Sequence, residues 1–356
     1  MDQVEKLHAE QRRRRALILV VLALGLGLAV LWAIQTGPVA IPTGMVLRIS
    51  LYRLMHCLLP HRLWAGIPVT WPHTHEIIVI DVRWPRILLG VLVGAALATS
   101  GCTMQGLFRN PMASPYTLGL ASGAAFGAAL AIVLEWPFYA LPALAFLFAV
   151  LTVFVVYRIA SVRGGVPMET LLLAGLATGS FFSALVSFML YIAGEKLAGI
   201  VFWLMGGLWA SDWDKVLIAL PLVSLGTTGI FLLSRDLDLL LLGDEQAQAL
   251  GVNTERVKKI ALALASLITA AAVCGSGVIG FVGLIVPHLM RTLVGPEHRL
   301  LLPASWLVGA LLLVCTDTLA RAVIQPTEIP VGIITALLGA PFFVYLLRRR
   351  KQTLEW

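Results

Sequence analysis

The sequence predicts an all-α polytopic membrane protein with about ten transmembrane helices and both termini cytoplasmic. Three observations carry that prediction: a composition too apolar for a water-covered surface, a series of apolar runs of spanning length, and basic residues gathered on one side of those runs. Apolar residues make up 59% and charged residues 13% of the 356 positions, and the mean hydropathy is +0.91. A soluble domain carries roughly 25% charged residues. Helices bundled in lipid need far fewer, because each satisfies its own backbone. The net charge of +7 is then topogenic, and no nucleic-acid partner is expected.

A run near 20 residues crosses about 30 Å of hydrocarbon. Such runs occupy 16–34, 87–107, 115–134, 138–157, 170–193, 215–233, 258–278, 280–294, 300–322 and 331–347. The first follows Arg12, Arg13, Arg14 and Arg15; at 19 residues it is too long for a signal-peptide core, and no small-residue cleavage site follows. It reads as a retained span. The seventh and eighth are separated only by Gly275-Ser276-Gly277-Val278-Ile279-Gly280. With the N-terminus inside, 18 of the 26 lysines and arginines fall on the inner side, as the positive-inside rule requires. The organisation is a basic cytoplasmic N-terminus (1–15), one transmembrane domain (16–347) and a cytoplasmic tail (348–356).

Three connections exceed a turn. Segment 35–86, outside, holds prolines, four histidines and three tryptophans. Segment 194–214, also outside, contains Phe202-Trp203-Leu204-Met205-Gly206-Gly207-Leu208-Trp209, which reads as a short interfacial helix with aromatic anchors. Segment 234–257, inside, reads as two short helical pieces separated at Gly251, a docking platform on an otherwise sparse face. A faint internal echo links Ser100-Gly101, Gly106 and Asn110-Pro111 to Ser276-Gly277, Gly283 and Pro287. The two spans involved run in opposite directions, as in an inverted repeat.

Several chemistries lack their residues. No Gly-x-x-x-x-Gly-Lys-Ser/Thr segment exists, so ATP is not bound here through a P-loop. Neither Ser-His-Asp nor His-Glu-x-x-His is visible, and no enzymatic activity is expected. Glu169, His288, Asp317, Arg321 and Glu328 lie near span ends, whereas an ion-coupled carrier places acids near the midplane. Asp317 and Arg321, four apart on one helix, are expected to interact. His56, Cys57, His61, His73 and His75 sit in the outer segment without a metal-ligand spacing, and no cofactor is expected. Small residues such as Gly94-Ala95-Ala96 and Gly119-Leu120-Ala121-Ser122-Gly123 indicate close helix packing.

An ordered motif set narrows the class. It comprises Arg83-Trp84-Pro85-Arg86, the stretch from Gly94 to Gly101, Met104-Gln105, Asn110-Pro111-Met112-Ala113-Ser114-Pro115 and Leu118-Gly119. It continues with Leu242-Gly243 through Leu250-Gly251, the stretch from Gly280 to His288, Arg291 and His298-Arg299. It closes with Asp317, Ala320-Arg321, Glu328-Ile329-Pro330-Val331-Gly332 and Leu338-Gly339-Ala340-Pro341. Over residues 80–347 this resembles the FecCD-type permeases of iron-siderophore, haem and cobalamin ABC importers.

The resemblance implies a permease in the inner membrane of a prokaryote, paired with a second permease subunit as a homodimer or with a similar distinct one. It also implies two cytoplasmic ATPase subunits and an external substrate-binding protein. Arg83, Arg86 and Arg321 match the outward arginines that dock the binding protein, a role suited to bidentate pairing with carboxylates. Asn110 and Met112 match the turn that closes the pathway inside. Gly243, Asp244, Glu245, Ala247, Leu250 and Gly251 match the segment that couples to the ATPases. Nothing is carried onto 35–80. An ion-coupled secondary transporter and a non-transporting receptor or anchor subunit are the alternative classes.

Overall fold

The computed structural model describes residues 2–58, 69–161, 166–324 and 327–352. Those residues are helical and irregular, with no strand among them. The long helices are α1 (Asp2–Gln35), α4 (Trp84–Leu107), α6 (Ala140–Ala160), α7 (Met168–Ile192), α9 (Trp213–Leu232), α12 (Thr254–Ser276), α14 (His298–Val323) and α15 (Val331–Gln352). Shorter ones are α2 (Thr43–Leu58), α3 (His73–Ile77), α5 (Leu120–Val133), α8 (Leu197–Met205), α10 (Ser234–Leu241), α11 (Asp244–Ala249) and α13 (Val282–Val294).

Among the described residues, seven helices are long and apolar enough to cross a membrane, and α5, α13 and the first part of α15 are shorter apolar helices. A helix therefore stands in each of the ten apolar runs. Two of those runs are shorter as helix than as sequence. Residues 115–118 form a 3-10 turn ended by Gly119, so α5 has 14 residues. Gly277 and Phe281 take positive φ, leaving 277–281 irregular and α13 only 13 residues long. At 1.5 Å per residue each short helix spans roughly 20 Å. The irregular backbone is satisfied inside the protein, as lipid demands: the Tyr116 hydroxyl donates to the Ile279 carbonyl at 2.8 Å. Thus α4 and α12 are each followed by an irregular stretch and a short helix, and the pairs of residues in the sequence echo fall within these two units.

The central mast is α4. It is buried along nearly its whole length, whereas most described side chains of α1 are exposed. Lipid offers no hydrophobic drive for helix pairing, so close approach and polar contacts hold the bundle. A Cβ on Gly94 would lie 2.2 Å from the Gly309 carbonyl oxygen of α14, and one on Gly101 would lie 1.7 Å from that of Gly283 on α13. The Ser100 hydroxyl donates to the Ala265 carbonyl of α12 at 3.0 Å and accepts from Thr269 at 2.7 Å. Of the small residues noted in the sequence, Gly94 is such a contact point, and so is Gly123, where a Cβ would lie 2.7 Å from the Phe148 carbonyl oxygen.

The spanning helix that contains α4 starts before Trp84-Pro85. Helix α4 continues α3 through a π-helical turn, Ile78–Arg83, so one helix runs from His73 to Leu107. Pro85 lacks an N–H and its ring crowds the carbonyl four residues back, and a widened turn relieves both. The expected helix over 202–209 is displaced upstream. It is α8, ended at Gly206 (φ 66°), and 206–208 are buried where the Gly207 N–H donates to the Ser276 carbonyl at 2.8 Å. The two short helices of 234–257 also exist, but the break between them lies at Leu242-Gly243. Gly243 has φ 121° and ψ 155°, a conformation open essentially to glycine alone. Gly251 (φ 87°) instead ends α11.

Candidate functional site

Charged side chains concentrate at the two ends of the bundle. At the α3 end, Arg86 on α4 grips Asp317 on α14 through three contacts, Nε–Oδ1 3.0 Å, Nε–Oδ2 3.1 Å and Nη2–Oδ1 2.9 Å. Its Nη1 pairs with Glu328 Oε2 at 2.8 Å. Arg321 Nε also lies 3.1 Å from Asp317 Oδ2, which is the expected pairing one turn apart. Arg83 stands apart from both acids. Its guanidinium donates to the carbonyls of Ile34 at 2.7 Å and Val39 at 2.5 Å, while Arg321 donates to that of Thr36 at 2.7 Å. Three cations and two carboxylates share this site, a formal surplus of one positive charge.

These arginines were expected to stand exposed, and they do not. Arg83, Arg86 and Arg321 are 3%, 7% and 4% exposed. The reason is the end of α1 and the chain after it: the Ile34 carbonyl, unsatisfied within the helix, and those of Thr36 and Val39 beyond it accept from the guanidinium groups. Nothing in the spacing of the sequence announced that cover.

At the α11 end, Arg109 takes φ 46° and ends α4. The Asn110 carboxamide oxygen then accepts from the Met112 N–H at 2.9 Å, closing a tight turn over 110–112. Arg109 Nη2 pairs with Asp244 Oδ1 at 3.1 Å. The other Asp244 oxygen receives Lys258 of α12, and Lys258 also lies 3.7 Å from Glu255. Asp244 at the start of α11 therefore braces that helix to both α4 and α12. Ala247 is fully buried beneath α11, whereas Glu245 points outward and Leu242 and Leu250 are 61% and 57% exposed. A second brace joins α10 to α14, where His298 Nδ1 meets Asp238 Oδ1 at 2.6 Å.

Arg109, Asp238 and Lys258 escaped the sequence reading. Lys258 carried one usable sign, a lysine on the apolar face of an amphipathic first turn.

Between the ends, the Ser122 and Ser183 hydroxyls meet at 3.1 Å beside a cavity of about 350 Å³ that Ser187 also lines. Among the described residues no cluster of histidine, cysteine and carboxylate could hold a metal ion. His56 lies on α2 and His73 and His75 on α3, while His61 and the side chain of Cys57 lie outside the described residues.

A helical bundle in which seven of the described helices are long and apolar enough to cross a membrane is that of a multi-span membrane protein. The chain belongs to the FecCD transport family, whose model matches residues 15–349. It is 50% identical over 281 residues to the cobalamin import system permease protein BtuC of Halobacterium salinarum, covering 79% of this chain and 76% of that protein. It is 44% identical over 281 residues to the hemin transport system permease protein HmuU of Yersinia pestis, covering 77% and 84%. Among solved structures it matches an inward-facing ABC transporter described as of metal-chelate type, with TM-score 0.80 and 36% identity over 93% of this chain and 99% of that one.

Proposed function

We propose that the chain is the permease subunit of an ATP-driven importer in the inner membrane of a prokaryote. It crosses ten times with both termini in the cytoplasm and pairs with a second copy. Its cargo is a metal chelate of the haem, ferric-siderophore or cobalamin kind, handed over by an external binding protein, and two separate cytoplasmic ATPases supply the energy. The observation that carries this reading is the bracing of α11. Leu242 and Leu250 offer exposed apolar surface next to charged Glu245, a surface for a partner. Asp244 ties the same helix to Arg109, the residue before the 110–112 turn. A push on α11 by an ATPase thereby reaches Asn110 and Met112, the proposed inner gate.

Docking of the binding protein at Arg83, Arg86 and Arg321 has a structural condition. A carboxylate from outside competes with the carbonyls of Ile34, Thr36 and Val39, so docking lifts the 35–39 segment. The surplus positive charge of the cluster favours that exchange, since a buried excess charge gains most from a paired carboxylate.

Uptake by vesicles containing the permease and its ATPase tests the whole reading. Accumulation of haem, a ferric siderophore or cobalamin should need external binding protein and internal ATP, and should survive an ionophore. Uptake that collapses with the ion gradient would indicate a secondary transporter, and binding without uptake a receptor.

A further inference from the structure

On the outside of the bundle a groove of about 400 Å³ runs between α6 and α12. Its walls include Val150, Val153 and Phe154 of α6 and Leu262, Ala263 and Leu267 of α12, almost all carbon. Around it Leu151, Phe154, Ile159 and Ile260 are exposed. In a multi-span bundle an exposed apolar helix face at this depth meets acyl chains.

One end of the groove is polar. Tyr157 and Lys259 line it, with Lys259 Nζ 5.9 Å from the centre of the Tyr157 ring. This is the α11 end, because the neighbouring Lys258 pairs with Asp244. The two adjacent lysines have opposite surroundings. Lys258 is buried between two carboxylates, whereas Lys259 is exposed and pairs with no acid among the described residues. Arg256, one turn earlier on the same helix face, and Arg158, next to Tyr157, are likewise exposed and in no ion pair. An apolar slot ending at an unneutralised lysine, with Arg158 and Arg256 nearby on the same two helices, matches a molecule with a hydrocarbon tail and an anionic head.

We propose that the α6–α12 groove binds an anionic phospholipid of the leaflet at the α11 end. One acyl chain lies along the carbon-lined walls. The phosphodiester accepts from Lys259, whose ammonium the Tyr157 ring holds in place, and Arg158 and Arg256 meet the net negative charge. Basic pockets between helices on the cytoplasmic side are suited to such headgroups. A zwitterionic lipid brings its own cation against these three and gains less. Free phosphate has the charge but nothing to fill the slot. The site does not depend on what the protein transports.

Native mass spectrometry of the full-length protein, titrated in detergent with phosphatidylglycerol or phosphatidylcholine, tests this. Phosphatidylglycerol should bind more tightly. Lys259→Gln should weaken it about fivefold, each further neutralisation of Arg158 and Arg256 by a similar factor, and Lys259→Arg should retain it. Ala263→Trp, which fills the slot from an exposed position, should lose both lipids. These four side chains are exposed, so the variants should keep the elution profile of the folded protein. Equal binding of the two lipids overturns the proposal, as does unchanged phosphatidylglycerol binding in the triple Gln variant. Displacement by inorganic phosphate would reduce the site to a plain anion site. Disulfide cross-linking of copies carrying Phe154→Cys would assign the groove to a second chain instead.

Discussion

Arg86 is held by two carboxylates, buried Asp317 on α14 and half-buried Glu328 just before α15. Breaking a buried pair leaves a charge uncompensated, so Arg86→Met is expected to cost about 3–5 kcal/mol. Denaturant unfolding in mixed micelles would register this as an earlier midpoint. The double variant Arg86→Met/Asp317→Leu should recover part of the loss, because Asp317 makes three contacts with Arg86 and only one with Arg321. Equal midpoints for single and double variants would refute the assignment of Asp317 as principal counter-ion. The Asp317–Arg321 contact was legible from spacing, since four residues make one helical turn. The Arg86–Asp317 contact was not: 231 positions separate the pair, and no local period links them. Arg83 was legible as a candidate, but its carbonyl partners belong to a backbone turn that no side-chain pattern encodes.

Among the elements, α4 depends on glycine where it crosses its neighbours. Gly101→Ala would set a methyl group 1.7 Å from the Gly283 oxygen, whereas Gly27 on α1 has nothing within 4 Å. Overpacking of this kind typically costs about 1–3 kcal/mol, and here both partners are backbone and yield little. Gly101→Ala should therefore lower the thermal midpoint in detergent, and Gly27→Ala should leave it near the natural value. Similar midpoints would mean that the α4–α13 crossing is looser than described. Apolar run length located every such helix, because a segment that crosses lipid must be apolar along its length. It did not foresee where α5 and α13 begin. Those starts are set by Gly119, Gly277 and Phe281, whose positive φ values are stabilised by the tertiary packing of the irregular stretches.

At the scale of the molecule, Asp244 ties α11 to α4 and α12, and the proposed coupling role requires these helices to move together. Asp244→Asn removes the charge that joins Arg109 and Lys258 while keeping the shape of α11. The expected result is a complex that still assembles with its ATPase, with binding-protein-stimulated ATP hydrolysis and uptake no longer linked. Uptake per ATP equal to that of the natural protein would remove Asp244 from the coupling path. The sequence by itself determined the helical class, the positions of the apolar helices and, through its motif order, the FecCD family. These rest on composition and local period, which each residue carries independently of the fold. Only the tertiary structure decided that the three arginines are covered, that α11 is braced on two sides, and that a slot between α6 and α12 ends at Lys259. Each of these joins residues far apart in the chain, and only the packing of the helices brings them within a few ångströms.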